Sequence, residues 1–203
     1  METCPPRSIP GKTPPVRAGL SSFASVLATV AMACESAPPD RTVATSTQTT
    51  VVTPKVTWPA AAQADARARA ALGEPKRASE LLARSPVPVL APTSVTFERP
   101  SFVVGTEYYA LTGRVSGTTI AIQGTRAARH YDGIAPVTGD RSLRGVPGFV
   151  SINEGIRTTS WIENGVAYSV DVECQDPGED RCTSDAFVID VVEHLAFAGG
   201  GSR

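Results

Sequence analysis

The fold follows from residues 161–199, which read WIENGVAYSVDVECQDPGEDRCTSDAFVIDVVEHLAFAG. This stretch contains a hairpin signal, a short loop between two cysteines and a segment with helical periodicity. Asn164 and Gly165 predict a two-residue type I′ turn, because that turn needs positive φ at both positions and these two residues adopt it most easily. The turn sets the register of the strands on either side of it.

Counting outward from the turn places four pairs of residues opposite each other on one face of the hairpin. The pairs are Glu163 with Val166, Trp161 with Tyr168, Thr159 with Val170 and Arg157 with Val172. The aromatic pair and the valines make this the buried face, because side chains alternate along a strand and cross-strand aromatic contacts are stabilising. The opposite face is expected to meet water and carries Thr158, Ser160, Ser169 and Asp171.

Two cysteines flank the polar loop that follows the hairpin. Cys174 closes the second strand, and Cys182 follows the loop 175–181. We expect these cysteines to form a disulfide, which stabilises a protein by about 2 to 3 kcal/mol for a loop this short in the chain-entropy treatment. Their spacing matches no structural zinc site, so we expect no metal ligands here.

A helix is predicted to follow the cysteine loop, from Thr183 as its N-cap to about Ala198, and to end at the glycines 199–201. Its apolar residues recur at helical spacing on one stripe. They are Phe187, Val188, Val191, Val192 and Leu195. We expect this C-terminal helix to cover the apolar face of the hairpin.

A second hairpin is centred on Ser116 and Gly117. Its register pairs Val115 with Thr118, Gly113 with Ile120 and Leu111 with Ile122. This register gives another one-sided apolar face. The proline-rich residues 85–92 predict an edge strand or an extended segment, since proline lacks the N–H that a central strand needs. Glycines and prolines interrupt residues 127–148, which predict a long loop.

The order of these elements predicts an α+β domain at residues 85–199. We expect an antiparallel sheet of about five to six strands, with the C-terminal helix packed on one face. Residues 34–59 have no periodic apolar pattern and predict a disordered tether, with coil at 49–53. Residues 200–203 are expected to form a short tail.

Between the tether and the domain, residues 60–84 predict a short helical spacer. The alanine-rich piece 60–72 is a good helix former that buries little, so we expect it to be solvated. The second piece, 76–84, is expected to dock on the domain through Leu81 and Leu82.

The N-terminal residues 1–33 have the layout of an export signal, with basic residues followed by an uncharged apolar run. The run ends in Ala31, Met32 and Ala33 before Cys34, and this end resembles the lipobox of bacterial lipoprotein precursors, although Ala31 stands where that class usually has leucine. The resemblance covers residues 16–34 and does not extend to the folded domain. It implies that Cys34 becomes the lipidated first residue of the mature protein.

Two further observations bear on the N-terminus. Pairing Cys174 with Cys182 leaves Cys34 as an odd thiol in an oxidising compartment, and lipidation would remove it. Five prolines in the first fifteen residues are unlike an export signal and indicate a true start at Val16. We therefore expect a membrane-anchored protein of the periplasm or cell envelope. The alternative is ordinary signal cleavage after Ala33 and a secreted soluble protein.

The charge balance makes nucleic acid an unexpected partner. The formal net charge is -1, and residues 34–203 hold 16 basic and 19 acidic residues, a net charge of -3. No basic cluster or aromatic RNA-binding motif is present in the sequence, and nucleic-acid binding proteins rely on such features.

Candidate chemical residues are few. His130, Tyr131 and Asp132 bring a base, a hydroxyl and a carboxylate together in sequence, but neighbours in an extended chain point to opposite sides and form no triad. His194 is expected at the surface of the C-terminal helix. The acidic residues of the cysteine loop are expected to be solvated charge, and they include Asp176, Glu179 and Asp180, with Asp185 nearby. We expect no catalytic residue, no metal and no cofactor.

The sequence therefore predicts a non-enzymatic binding or interaction module of the cell envelope, whose partner is an envelope protein or a small ligand. Two alternatives stay open: a periplasmic hydrolase with its site near His130, and a purely structural envelope protein. An exposed apolar patch on the far face of the sheet would favour binding over a structural role.

Overall fold

The strands of the computed structural model are β1 (Thr49–Val52), β2 (Val89–Pro92), β3 (Glu98–Val104), β4 (Tyr108–Val115), β5 (Thr118–Thr125), β6 (Ala128–Tyr131), β7 (Arg141–Leu143), β8 (Val146–Asn153), β9 (Ile156–Glu163), β10 (Val166–Cys174) and β11 (Leu195–Gly199). The helices are α1 (Ala66–Ala70), α2 (Pro75–Arg84), α3 (Asp180–Thr183) and α4 (Ala186–Glu193), with a 3₁₀ turn at Ala61–Gln63. The structure describes residues 49–52, 54–135 and 137–201, which all belong to one compact unit.

The central element is a seven-stranded antiparallel sheet in the order β3-β4-β5-β10-β9-β8-β7. Two smaller antiparallel sheets pair β1 with β6 and β11 with β2. The predicted α+β class with an antiparallel sheet is confirmed, and the sheet is larger than the five to six strands expected. The extra strand is β7, whose three residues lie in the stretch for which the sequence predicts a loop.

Both predicted hairpins are confirmed, residue by residue. Strands β9 and β10 pair Glu163 with Val166 and Trp161 with Tyr168, and the register continues as predicted to Arg157 opposite Val172. Strands β4 and β5 have the predicted register from Val115 opposite Thr118 to Leu111 opposite Ile122. In each hairpin, the two turn residues have positive φ.

The side chains on one face of the large sheet belong to the core of the molecule. Its fully buried side chains include Leu111, Ile120, Ile122, Val170 and Val172. The covering layer contains α4, which lies against β9 and β10 and buries Val188, Val191 and Val192. Two tyrosines of the sheet reach up to the backbone of the covering layer: the Tyr109 hydroxyl accepts from Leu90 N–H and donates to Leu90 O, and the Tyr168 hydroxyl donates to Pro88 O.

The predicted helix over 183–198 is wrong in its extent. The chain forms the short helix α3 before it and α4 from Ala186, and from Leu195 it is the strand β11. Strand β11 pairs with β2, from Leu195 opposite Pro92 to Gly199 opposite Val89. The partner strand satisfies the backbone N–H and C=O groups as well as a helix would, so tertiary pairing overrides the helical spacing of the sequence. Thr183 is the last residue of α3 and not an N-cap.

The alanine-rich piece is not a solvated spacer. Its helix α1 begins after Asp65, whose carboxylate accepts the N–H groups of Arg67 and Ala68. Ala68 and Leu72 are buried in the main core. Alanine is small, but close packing against β11 and β2 buries it completely, and this contact is not visible in the local sequence.

The second helical piece docks as predicted, since α2 buries Leu82 and half-buries Leu81. It begins at Glu74, whose carboxylate accepts the N–H groups of Lys76 and Arg77. These two backbone hydrogen bonds lower the pKa of Glu74 below its usual value.

Two segments predicted as coil or loop contain strands. Residues 49–52 form β1, which pairs with β6, and the predicted loop 127–148 contains β6, β7 and the start of β8. Just after β1, Thr57 N–H donates to Asn164 O over 2.8 Å. These segments form strands because they pair with strands that are distant in sequence, and their composition alone does not indicate this pairing. The predicted domain limits stay a prediction, and residues 1–48 lie outside the described residues.

The proline-rich segment is confirmed as an edge strand, because β2 belongs to a sheet of two strands and pairs only with β11 there. Among its residues, Val89 and Ala91 are completely buried. This short sheet therefore serves as part of the covering layer over the core.

Candidate functional site

The predicted disulfide is confirmed. Cys174 and Cys182 are bonded, with their Cα atoms 6.1 Å apart. Arg157 anchors the loop from below: its Nε donates to Cys182 O over 2.8 Å, and its guanidinium pairs with Asp185. The bridge thus joins the end of β10 to the start of the covering layer, which makes it a structural feature.

The N-terminal predictions stay predictions. Cys34, the residue expected to carry lipid, and the export signal lie outside the described residues. Within the part of the chain that the structure describes, none of the helices has the length and apolar character to cross a membrane.

The two histidines lie on separate elements. His130 belongs to β6, where its backbone pairs with Thr50 of β1. His194 is the exposed residue that ends α4, with its Nδ1 2.8 Å from Asp190 O and 3.1 Å from the Asp190 carboxylate. The surface position predicted for His194 is confirmed, and its nearest partner is a residue of its own helix.

The acidic residues near the disulfide do not converge on one point. Asp176 Oδ1 accepts the N–H of Gly178, Glu179 pairs with Arg181 over 3.1 Å, and Asp185 pairs with Arg157 and Arg141. Among the described residues, no group of three or more His, Cys, Asp or Glu side chains could hold a metal ion. These carboxylates therefore stabilise the loop and the start of α4.

A cleft of about 640 Å³ lies beside the segment that follows β1. Three cations line it: Lys55, Arg84 and Arg126, together with Trp58. Arg126 is already paired with the carboxylate of Glu107. The cleft has the charge to attract anions.

The far face of the seven-stranded sheet is a surface that the sequence analysis did not predict. Its side chains alternate with those of the core and are all at least partly exposed. We call this surface the open face. Three rows of directly paired residues define it: Tyr108, Thr125, Ala167 and Ile162; Val103, Ala110, Gln123, Ser169, Ser160 and Phe149; and Ser101, Thr112, Ala121, Asp171, Thr158 and Ser151.

The middle row of the open face crosses six strands, from β3 to β8. Five interstrand spacings of about 4.8 Å make it about 24 Å long. Apolar side chains stand at both ends, with Val103 43% exposed and Phe149 40% exposed. Between them the row contains the polar residues Gln123, Ser169 and Ser160.

The neighbouring row adds two larger exposed side chains, Tyr108 at 47% and Ile162 at 68%. The ring of Tyr108 lies against Gly105: a Cβ added to this glycine would be 2.3 Å from Tyr108 Cε1. The backbone holds the same corner together, because Gly105 N–H donates to Tyr108 O over 2.8 Å. The exposed ring is therefore held in place before any ligand arrives.

The edges of the sheet are poor sites for adding a further strand. The outer strand β3 has a register shift between Glu98 and Ser101, and between them stand Arg99 with a positive φ of 50° and Pro100. The opposite edge consists of β7, which is three residues long, and of residues 149–153 of β8, which extend beyond it. Bulges, prolines and short edge strands all hinder pairing with another chain. The open face is thus a larger accessible surface than either edge of the sheet.

Comparison with protein-family models, with curated proteins and with solved structures finds no match to this chain.

The sequence indicated four of the sixteen residues of the open face. The wet side of the hairpin around Asn164 and Gly165, with Thr158, Ser160, Ser169 and Asp171, was expected and is confirmed as partly exposed. The rows across the sheet were missed, because they depend on the pairing of β5 with β10. Alternation within each strand indicates which of its side chains face away from the core. The order of the strands then determines which of these side chains lie next to each other on one surface.

Proposed function

We propose that this chain is an exported, lipid-anchored protein of the periplasm or cell envelope, whose folded part is a non-catalytic binding module. Its binding surface is the open face of the seven-stranded sheet. The anchor is Cys34, and the chain between Cys34 and β1 links the module to the membrane.

One observation carries this proposal: four apolar side chains, those of Val103, Tyr108, Phe149 and Ile162, are exposed on the open face. The opposite face of the same sheet is covered. The four side chains form two pairs at opposite ends of the open face, Val103 with Tyr108 and Phe149 with Ile162, with polar residues between them. Exposed apolar side chains that share one surface with polar residues are a feature of interaction sites.

Photo-crosslinking in the native envelope tests the proposal. A diazirine-bearing amino acid at Ser169, in the middle of the open face, should capture a defined partner in the full-length protein. The same amino acid at Ser184, exposed between α3 and α4, serves as the matched control and should capture much less. Equal capture at the two positions, or none at Ser169, would contradict a binding role for the open face.

The anchor has its own test in the same experiment. Cys34→Ala should move the protein from the membrane fraction to the soluble fraction and reduce the capture at Ser169, because the module is no longer held near its partner. A Cys34→Ala variant that stays in the membrane fraction would show that Cys34 is not the anchor, whatever the open face binds.

A further inference from the structure

We infer that the ligand of the open face is a neutral polysaccharide, bound across the strands along the middle row. This inference rests on the proposed function, since it names the class of ligand for the same surface. It follows from the charge, the hydrogen-bonding groups and the ring positions of the open face.

The charge of this surface does not favour anionic ligands. In the three rows of the open face, Asp171 is the single charged residue, and its Oδ1 accepts a hydrogen bond from the Thr158 hydroxyl over 2.7 Å. The next row on the same side of the sheet, Arg114, Thr119 and Glu173, adds one cation and one anion. Nucleic acids and anionic membranes are bound through Lys and Arg. A group of several cations stands elsewhere, in the cleft with Lys55 and Arg84. A neutral ligand is therefore complementary to the open face.

The polar groups of the open face suit a ligand that is rich in hydroxyls. Ser160, Ser169 and Thr112 can each donate one hydrogen bond and accept others, and the amide of Gln123 does both. Sugar hydroxyls have the same mixed capacity. The side chains of Ala110 and Ala121 are short, so that a chain of sugar rings can lie close to the sheet.

Exposed aromatic rings stand near the two ends of the surface, Tyr108 on β4 and Phe149 on β8. An aromatic ring has a negative face, which attracts the positive C–H groups on the face of a pyranose ring. The middle row, about 24 Å long from β3 to β8, has room for several sugar rings. Gly105 is a positioning residue here, because any Cβ would push the ring of Tyr108 out of place.

Two other occupants fit less well. An extended peptide gains its affinity by pairing with a free strand edge, and both edges of this sheet hinder such pairing. A second copy of the chain would need a core of apolar side chains in the interface, whereas the middle row has Gln123, Ser169 and Ser160 at its centre.

The test uses the purified full-length protein and three soluble neutral probes: the hexamers of β-1,4-linked N-acetylglucosamine, β-1,4-linked glucose and α-1,4-linked glucose. Titration calorimetry should detect binding of at least one hexamer. Tyr108→Ala and Phe149→Ala should each raise its Kd about tenfold by removing one ring contact. Ile134→Ala, which removes an exposed apolar side chain outside the open face, should leave the Kd unchanged.

A fourth probe, inorganic polyphosphate, separates the two surfaces. If polyphosphate binds, Tyr108→Ala should not weaken it, because the cations lie in the cleft beside Lys55. Gly105→Ala is a second way to disturb the ring without removing it, and it should also weaken binding of the hexamer. Its melting curve checks that the variant is folded.

Failure of this inference is distinct from failure of the proposed function. If none of the three hexamers binds, or if Ile134→Ala weakens binding as much as Tyr108→Ala, a polysaccharide ligand on the open face is excluded. Capture of a protein by the crosslinker at Ser169 would then leave the binding role standing with a different class of partner. Absence of any capture at Ser169, together with absence of binding by all three hexamers, would remove both.

Discussion

At the scale of single residues, two tyrosines decide how the covering layer meets the sheet. The hydroxyl of Tyr109 satisfies both backbone groups of Leu90, and that of Tyr168 satisfies Pro88 O. These bonds matter because strand β2 pairs with β11 along one edge only, and buried backbone groups without partners are costly. The tyrosines give the proline-rich strand a second set of partners.

Tyr109→Phe should lower the free energy of unfolding by about 1 to 3 kcal/mol, because it leaves the buried N–H and C=O of Leu90 without a partner. Urea denaturation measures this change. Tyr108→Phe, one residue away but on the open face, is the matched control and should have almost no effect. Equal effects of the two variants would show that the Leu90 bonds contribute nothing.

The same tyrosine predicts a dependence of stability on pH. Burial raises the pKa of Tyr109 above its usual value of about 10, so the folded state holds the proton more tightly than the unfolded state. The stabilisation is complete below about pH 10 and is lost as the pH rises further. Tyr109→Phe should therefore make the alkaline loss of stability less steep.

At the scale of elements, the sheet is built on two-residue turns that share one pattern. The dipeptides Ser116-Gly117, Arg144-Gly145, Glu154-Gly155 and Asn164-Gly165 all have positive φ at both residues. The sequence predicted the first and the last of these. Arg and Glu are unusual at the first position, so the other two were missed, although glycine at the second position is a signal that could have found them.

Two of these glycines make a controlled comparison. Gly117→Ala should cost about 1 kcal/mol through its positive φ alone, since a Cβ there would meet open space. Gly165→Ala should cost more, at least about 2 kcal/mol, because its Cβ would also be 2.3 Å from Lys55 O. Thermal unfolding of both variants tests the difference. Equal costs would mean that the segment around Lys55 is not held against the hairpin.

At the scale of the whole molecule, Arg144 connects three parts of the fold. It stands in the turn between β7 and β8, and its Nε donates to Glu163 of β9 over 2.8 Å. Its Nη1 donates to Leu195 O, at the start of β11, and its backbone N–H donates to Glu193 at the end of α4. The guanidinium thus joins the edge of the sheet to the covering layer.

Arg144→Met should lower the free energy of unfolding by about 2 kcal/mol, because it removes several charge-assisted hydrogen bonds from a side chain that is only 17% exposed. Arg141→Met is the matched control, since Arg141 is 54% exposed and 3.7 Å from Asp185. The control should change stability by less than about 0.5 kcal/mol. Chemical denaturation measures the free energy of unfolding of both variants. Equal values for the two variants would contradict the role of Arg144.

The candidate site shows where prediction from the sequence stops. Alternation and turn residues within residues 157–172 were sufficient to predict that Ser160 and Ser169 face water on adjacent strands. They could not predict that Gln123 and Phe149 continue the same row, because strand order depends on contacts between distant segments. The functional surface is thus a property of the sheet and not of a motif.

The sequence by itself determined the local hairpins, the disulfide and the α+β class. These depend on short-range features: glycine turns that impose a register, strict alternation that selects a buried face, and two cysteines close enough in the chain to bond. The interactions that select these features involve residues that are close together in the sequence.

Only the tertiary structure decided the pairing of β5 with β10, the conversion of residues 195–199 from predicted helix to strand, and the order of residues 49–52. In each case a segment distant in sequence satisfies the backbone hydrogen bonds or completes the burial. Local propensity differs between helix and strand by less than such pairing contributes, so the distant partner determines the outcome. The open face, and the set of side chains that it offers to a ligand, form only when these distant segments pair in the tertiary structure.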